Sequence, residues 1–286
     1  MTTIYHVSDL HFGYDTVMEQ IEAIEDQIRD GAFDVVAISG DITQRARSGE
    51  FLRARSFIRD AAKVSRVIVV PGNHDVRWWH APLGIGQRGR LTHHYRKYIA
   101  EDLEPVLRLP GLTMVGLNSA QGVTKRTLTW RMRDIAVIGD LSPSQLDRAR
   151  SEFDQSPATD CRVALFHHNP VKGEISRRHG LAHTTHILGE FAEMGVDLVL
   201  CGHDHQEAIH YMEHTRRGTV ISTAGTISSR SRGGRPSSVN IVSVFETEIE
   251  VATHVWSVDQ RDFRQGPVNT FPRGPHRAAG SPASYL

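Results

Sequence analysis

Four consecutive β-branched residues, Val67-Ile68-Val69-Val70, run directly into Pro71-Gly72-Asn73-His74-Asp75. The first group reads as a short buried strand, and Pro71-Gly72 ends it with a turn. Three polar side chains are thereby delivered at a strand's C-terminal end, the edge at which open α/β sheets bind ligands. A polar tight turn would look the same, but the pattern recurs. Ile4-Tyr5-His6-Val7 leads into Ser8-Asp9-Leu10-His11-Phe12-Gly13, and Val35-Val36-Ala37-Ile38 into Ser39-Gly40-Asp41. Arg162–Phe166 leads into His167-His168-Asn169-Pro170, and Val196–Leu200 into Cys201-Gly202-His203-Asp204-His205. Strand ends of one sheet converge on one edge, so these residues can meet although they are far apart in sequence.

The connecting segments fit that architecture. Val17, Ile21, Ile24 and Ile28 mark one face of a helix that ends near Gly31. A second helix, from about Ala46 to Ala62, buries Phe51, Ala54, Ile58 and Ala61. Strand–helix–strand spacing of this kind predicts right-handed crossovers and a largely parallel sheet. Residues 76–110 are an excursion with Trp78 and Trp79, a Gly/Pro-rich stretch and a helix near Gly89–Glu101. Strands are expected at Leu112–Leu117 and Ile135–Ile138. Ser142-Pro143 with Gln145 opens a helix that buries Leu146, Ala149 and Phe153. Another helix runs through Leu188, Phe191 and Met194. Segments near 208–213, 219–223, 239–245 and 249–256 alternate in polarity, as antiparallel strands of a second sheet would. After Ser257 the chain is rich in Pro, Gly, Arg and Ser. The expectation is one α/β domain over residues 1–256 and a flexible tail over 257–286.

Acidic and basic residues balance at 33 each, so overall charge does not argue for a nucleic-acid or membrane partner. No apolar run approaches the roughly 18 residues that span a bilayer, and the N-terminus lacks a signal-peptide pattern. Cys161 and Cys201, the two cysteines, read as small core residues and exclude a disulfide scaffold. A cytoplasmic location follows as the expectation.

The strand ends carry Asp9 and His11, Asp41, Asn73 and His74, His167 and His168, and His203 and His205. Asp9 and His11, like His203 and His205, are two residues apart and would face the same side of an extended chain. Leu10 and Asp204 should then point away. Carboxylate, imidazole and amide oxygen without thiolate suit Mn, Fe or Zn. The donors are too many for one tetrahedral ion. Two ions roughly 3.5–4 Å apart, bridged by one carboxylate, would use them. Asp41 stands alone at its strand end and is the natural bridge.

This set resembles the calcineurin-like metallophosphoesterase superfamily through Asp9-x-His11, Gly40-Asp41, Gly72-Asn73-His74-Asp75, His167 and Gly202-His203-x-His205, in that order. Ser8–Gly13, Ser39-Gly40-Asp41-Ile42-Thr43 and Ala224-Gly225-Thr226 look like the bacterial class III cyclic nucleotide phosphodiesterases. His167-His168-Asn169-Pro170 departs from that branch, where two prolines often follow the His pair. The resemblance implies a four-layer α-β-β-α sandwich of two mixed sheets flanked by helices, with a di-metal site at strand C-terminal ends. It implies that Asp9, His11 and His205 hold one ion, that Asn73, His167 and His203 hold the other, and that Asp41 bridges them. It also implies that His74 is an unligated catalytic group near the phosphate. The implied activity is hydrolysis of a cyclic nucleotide or other small phosphodiester by a metal-bridging hydroxide. A nucleic-acid-processing phosphodiesterase is the alternative, and a non-catalytic scaffold a third reading.

Weaker signals surround this core. Asp75 either orients His74 or stabilises its turn, and His168 reads as lying near the ions or facing substrate. Arg230, Arg232 and Arg235 sit in a Gly/Ser loop, where Arg232 is a candidate for binding a phosphate. His6 reads as structural, His93, His94, His183, His186 and His210 as surface or cap residues, and His179 as a solvated loop residue or one that touches substrate. Trp78 and Trp79 suggest core packing, base stacking or a homodimer contact through the excursion.

Overall fold

The computed structural model describes residues 1–77, 91–122, 126–127, 137–177, 179–214 and 217–274. Trp78, Trp79 and residues 135–136 of the expected Ile135–Ile138 strand lie outside them. No helix among the described residues is long and apolar enough to cross a membrane.

β1 (Thr2–Val7), β2 (Val35–Ile38) and β3 (Arg66–Val69) pair in parallel, joined by α1 (Met18–Asp30) and α2 (Ser48–Ala61). Every residue of β2 is buried because both faces are covered. Val36 and Ile38 pack with Ile21, Ile24, Ile28, Phe51 and Phe57 of the helices, whereas Val35 and Ala37 face the second sheet. Phe57 takes the core position that the helical pattern assigned to Ile58, which is only partly buried.

The second sheet is built from β4 (Val106–Leu109), β5 (Leu112–Gly116), β6 (Cys161–His168), β7 (Leu198–Gly202), β8 (Ala208–His214) and β9 (Arg217–Thr223), ordered β4-β5-β6-β7-β9-β8. Its outer face is covered by α4 (Pro143–Asp154) and α5 (Thr184–Glu193), which bury Leu146, Phe153, Ile187 and Phe191. Ser142 and Gln145 form the expected capping box at the start of α4. Between the sheets lies a dry layer that includes Ile4, Ile68, Met114, Val163 and Leu200. The result is a four-layer α-β-β-α sandwich. Cys161 and Cys201 are free and buried in the two clusters that line the second sheet's faces.

Four expectations need correction. The late strands do not form a sheet of their own. β8 and β9 extend the second sheet, while β10 (Ser238–Val244) and β11 (Glu248–Ser257) pair antiparallel onto the free side of β1. Both sheets are therefore mixed, and the strand ends that carry the candidate ligands come from two sheets rather than one. Among the described residues the excursion contains β4 as well as a helix, α3 (His93–Tyr98), while Gly89 and Arg90 of the expected helix lie outside them.

The segment after Ser257 is not a tail from its start, because β12 (Asp262–Pro272) pairs with β11 at the sheet edge. An edge strand tolerates Pro267 and Gly266, the residues that made this segment look unstructured. Phe263 is 2% exposed and meets Trp256 edge-on. Gln27 donates to the Phe263 carbonyl and to Asp262, both at 2.9 Å. Phe271 stacks on Tyr211 of the other sheet.

Removing Phe263 should therefore act as a core mutation. Phe263→Ala is expected to cost about 3–5 kcal/mol in urea unfolding, and Val268→Ala, at a 45%-exposed position, less than about 0.5 kcal/mol. Equal costs would contradict the docking of β12.

Candidate metal centre

The C-terminal ends of β1, β2 and β3 meet those of β6 and β7 across the two sheets. The loop after β1 continues alongside the loop after β2. Asp9, His11 and Phe12 donate their amides to the carbonyls of Gly40, Asp41 and Ile42 at 2.9–3.1 Å. Thr226, in the Ala224-Gly225-Thr226 stretch, donates its hydroxyl to the Asp9 carbonyl at 2.9 Å. The ligand pairs reach a common side by a route the sequence did not suggest. Asp9, His11, Asp41, His203 and His205 all have left-handed backbones, with φ of 54°, 45°, 48°, 73° and 56°. Each such residue costs about 1–3 kcal/mol, and such residues gather at functional sites. Leu10 and Asp204 do point away, into the core and towards Arg232 respectively.

Two groups of donor atoms result. In the first, His205 Nε2 lies 3.1 Å from His11 Nε2 and 3.1 Å from Asp9 Oδ1, with Asp41 Oδ2 4.0 Å from His11 Nε2. In the second, His203 Nδ1 lies 3.1 Å from Asn73 Oδ1 and 3.2 Å from His167 Nε2. Asp41 Oδ2 is 3.2 Å from His167 Nε2, so one carboxylate oxygen borders both groups. Ligands bound to an ion at about 2.1 Å and at tetrahedral or octahedral angles stand about 3.0–3.4 Å apart. Most of these separations match. Asp9 Oδ1 is buried and has no hydrogen-bond partner among the described residues. The donor set therefore fits a pair of divalent ions.

Surrounding bonds aim the donors. His167 Nδ1–H donates to the Ser39 carbonyl at 2.8 Å and His205 Nδ1–H to the Arg230 carbonyl at 3.0 Å, which turns each Nε2 inwards. Asp9 Oδ2 accepts from the His203 amide, and Asp41 Oδ1 from the His74 amide. Gly72 has to be glycine, since a Cβ there would lie 2.2 Å from Asp41 Oδ1.

His74 stands beside the ligands rather than among them. Its Nδ1–H donates to the Gln44 carbonyl at 2.7 Å, and its ring meets His11 edge-on at 4.9 Å. Nε2 is left towards Arg230, whose guanidinium is 3.4 Å away. Arg230, rather than Arg232, is thus the loop arginine next to His74. Arg232 pairs with Asp204 at 3.1 Å. The Asp75 carboxylate is not what anchors the His74 ring. That carboxylate accepts from Gly72 N, Ile42 N, Thr43 N and Thr43 Oγ1, and so ties the β2 and β3 loops together. His168 is buried against His203 and His167, with Nδ1 2.8 Å from Ser119 Oγ. His6 is buried on Ser39, and the exposed His179 has Nδ1 3.1 Å from the Pro170 carbonyl. Ser39, Gln44 and Arg230 contribute main-chain carbonyls, which residue identity does not advertise.

Burial pushes His11 down to about 4 and His203 down to about 3, so both are neutral at pH 7. His167 behaves oppositely. Burial disfavours its charge, but the Asp41 carboxylate lifts it to about 9. Burial and Asp41 also push Asp75 up to about 7, although every partner of Asp75 is a donor and favours the carboxylate.

His167 therefore carries a proton in the metal-free protein near pH 7, and an incoming cation must displace it. Metal affinity should rise with pH, by up to tenfold per unit, and level off above about 9. Calorimetry in buffers of different ionisation enthalpy should detect that proton's release at pH 7.5. Metal uptake without proton release would contradict the assignment.

A 24% identical relative over 226 residues is the DNA double-strand break repair protein Mre11 of Methanopyrus kandleri, covering 72% of this chain and 46% of the relative. The chain thus spans about half the length of that curated protein. Among solved structures, purple acid phosphatase PPD1 from yellow lupin (Lupinus luteus) seeds matches with a TM-score of 0.66 and 11% identity, over 95% of this chain and 54% of that one. Vps29 of Chaetomium thermophilum matches with a TM-score of 0.47 and 12% identity, over 96% and 98%. The sequence pattern of the calcineurin-like phosphoesterases matches residues 2–207, and with most of its length so matched the chain belongs to the calcineurin-like phosphoesterase family.

Proposed function

We propose that this protein is a di-metal phosphodiesterase acting on a cyclic nucleotide or another small phosphodiester. The observation that carries the reading is Asp41 Oδ2 bordering both donor groups, with His74 Nε2 beside them and free of any ligand role. Two divalent ions bound there would lower the pKa of water and offset charge on phosphoryl oxygens.

The chain's own groups do the rest. Asp9, His11 and His205 would hold one ion, Asn73, His167 and His203 the other, and Asp41 would be shared between them. His74, anchored through Nδ1, presents Nε2 to the phosphate. When protonated it donates a hydrogen bond to a phosphoryl oxygen and passes that proton to the leaving alkoxide. Arg230 adds positive charge beside it. Arg230, Arg232 and Arg235 pair with Asp15, Asp204 and Glu207, which favours a compact substrate over a polyanion track.

The Mre11 likeness supports a second reading, a nuclease. A metal-reconstituted screen of cyclic nucleotides, glycerophosphodiesters, single-stranded DNA and phosphomonoesters separates the two. Small diesters should be hydrolysed fastest. Activity confined to monoesters would overturn both, and a preference for DNA would favour the nuclease.

The roles within Gly72-Asn73-His74-Asp75 are separable. His74→Ala should keep both ions and lose about 10²–10⁴ in kcat, most with poor leaving groups. Asn73→Ala should weaken one ion. Loss of an ion from His74→Ala, read by elemental analysis, would contradict the assignment.

A further inference from the structure

We propose that Asp15 is a positioning residue for hydrolysis, which holds Gln44 and Arg230 and through them aims His74 and the Arg230 guanidinium at the phosphate. The inference rests on the phosphodiesterase reading above and adds to it a residue outside the strand-end motifs.

His74 is gripped at both ring nitrogens by residues of other loops. Its Nδ1–H donates to the Gln44 carbonyl at 2.7 Å, and its Nε2 lies 3.4 Å from the Arg230 guanidinium. Gln44 follows β2 and Arg230 lies between β9 and β10, whereas His74 follows β3. Chain continuity therefore places neither of them beside His74. A single oxygen joins the two. Asp15 Oδ2 accepts from Gln44 Nε2 and stands 3.8 Å from Arg230 Nε.

The local chain keeps that oxygen in place. The Gln44 amide is clamped at both ends, with Oε1 accepting from the Tyr14 amide at 2.9 Å and Nε2 donating to Asp15. An N–H on one side and a carboxylate on the other fix which end of the amide is oxygen. Gly13 allows the close approach, since a Cβ there would stand 2.8 Å from Gln44 Oε1. On the other side the Asp15 carbonyl accepts from the Ser229 amide at 3.0 Å, and Thr16 bridges to Ser228. These main-chain bonds, with the one from His205 Nδ1–H to the Arg230 carbonyl, secure the backbone of Arg230 independently of the Asp15 side chain. The carboxylate has a separate task, the guanidinium, whose long stem would otherwise sample many rotamers.

Asp15 belongs to neither group of metal donors. Removing its carboxylate would leave every donor present and loosen the aim of the two groups that meet the phosphate. Displacing such groups by about 1 Å can lower a rate about 10²-fold. A residue that only stabilised its loop would act equally whether or not His74 and Arg230 were present.

Hydrolysis of bis(4-nitrophenyl) phosphate by the metal-loaded full chain tests this, because a good leaving group keeps weak variants measurable. Asp15→Ala should retain both ions by elemental analysis and lose at least about tenfold in kcat/KM, most of it in kcat. The same change made in the His74→Ala/Arg230→Ala double variant should cost less than about twofold, because the groups it aims are gone. Asp15→Asn, nearly isosteric and without the charge, serves in the same cycle if Asp15→Ala does not fold. An undiminished rate, an equal loss in both backgrounds or the loss of an ion would overturn the role of Asp15 alone. A metal-loaded wild type that hydrolyses no phosphodiester would overturn the phosphodiesterase reading and this inference with it.

Discussion

A carboxylate with no access to water dominates this molecule. Asp41 is 1% exposed, on a left-handed backbone, between two sheets that bring histidines to it from both sides. Burying a charge is costly unless it is paired or coordinated. Its neighbour Asp9 is equally buried. Two buried negative charges this close together are sustainable when cations lie between them. The left-handed residues, the missing Cβ at Gly72 and the clamp made by Asp75 all serve to hold Asp41 where such cations would sit.

Asp75 illustrates how the fold stabilises that position without taking part in it. Its two oxygens collect donors from the ends of β2 and β3 and so tie the Gly40–Thr43 and Gly72–His74 loops together. Asp41 and His74 lie on the two loops so joined, and the His74 amide adds a bond of its own to Asp41. The result is a frame in which His74 and Asp41, the proposed proton carrier and shared ligand, are set relative to each other.

Much of this was legible in the sequence. Runs such as Val35–Ile38 announce buried strands by composition alone, and the polar residues that follow announce the edge. The candidate ligands could be named because strand ends are local features. What was not legible was non-local. Nothing in Ser238–Val244 says that it will pair with β1 instead of with β9, since that choice depends on which side of β1 is left open. β12 was hidden because Gly266 and Pro267 look like loop residues, and only its place at a sheet edge makes them harmless. The left-handed ligands were invisible because residue spacing was interpreted on an extended chain. Arg230 was one of three similar arginines, and only packing distinguishes it.

The most direct test is anomalous diffraction from a crystal of the metal-loaded protein. Two anomalous peaks roughly 3.5–4 Å apart, with Asp41 Oδ2 within bonding distance of both, are the predicted result. A single peak, or two peaks with Asp41 bound to only one, would contradict the shared carboxylate on which the proposed chemistry depends.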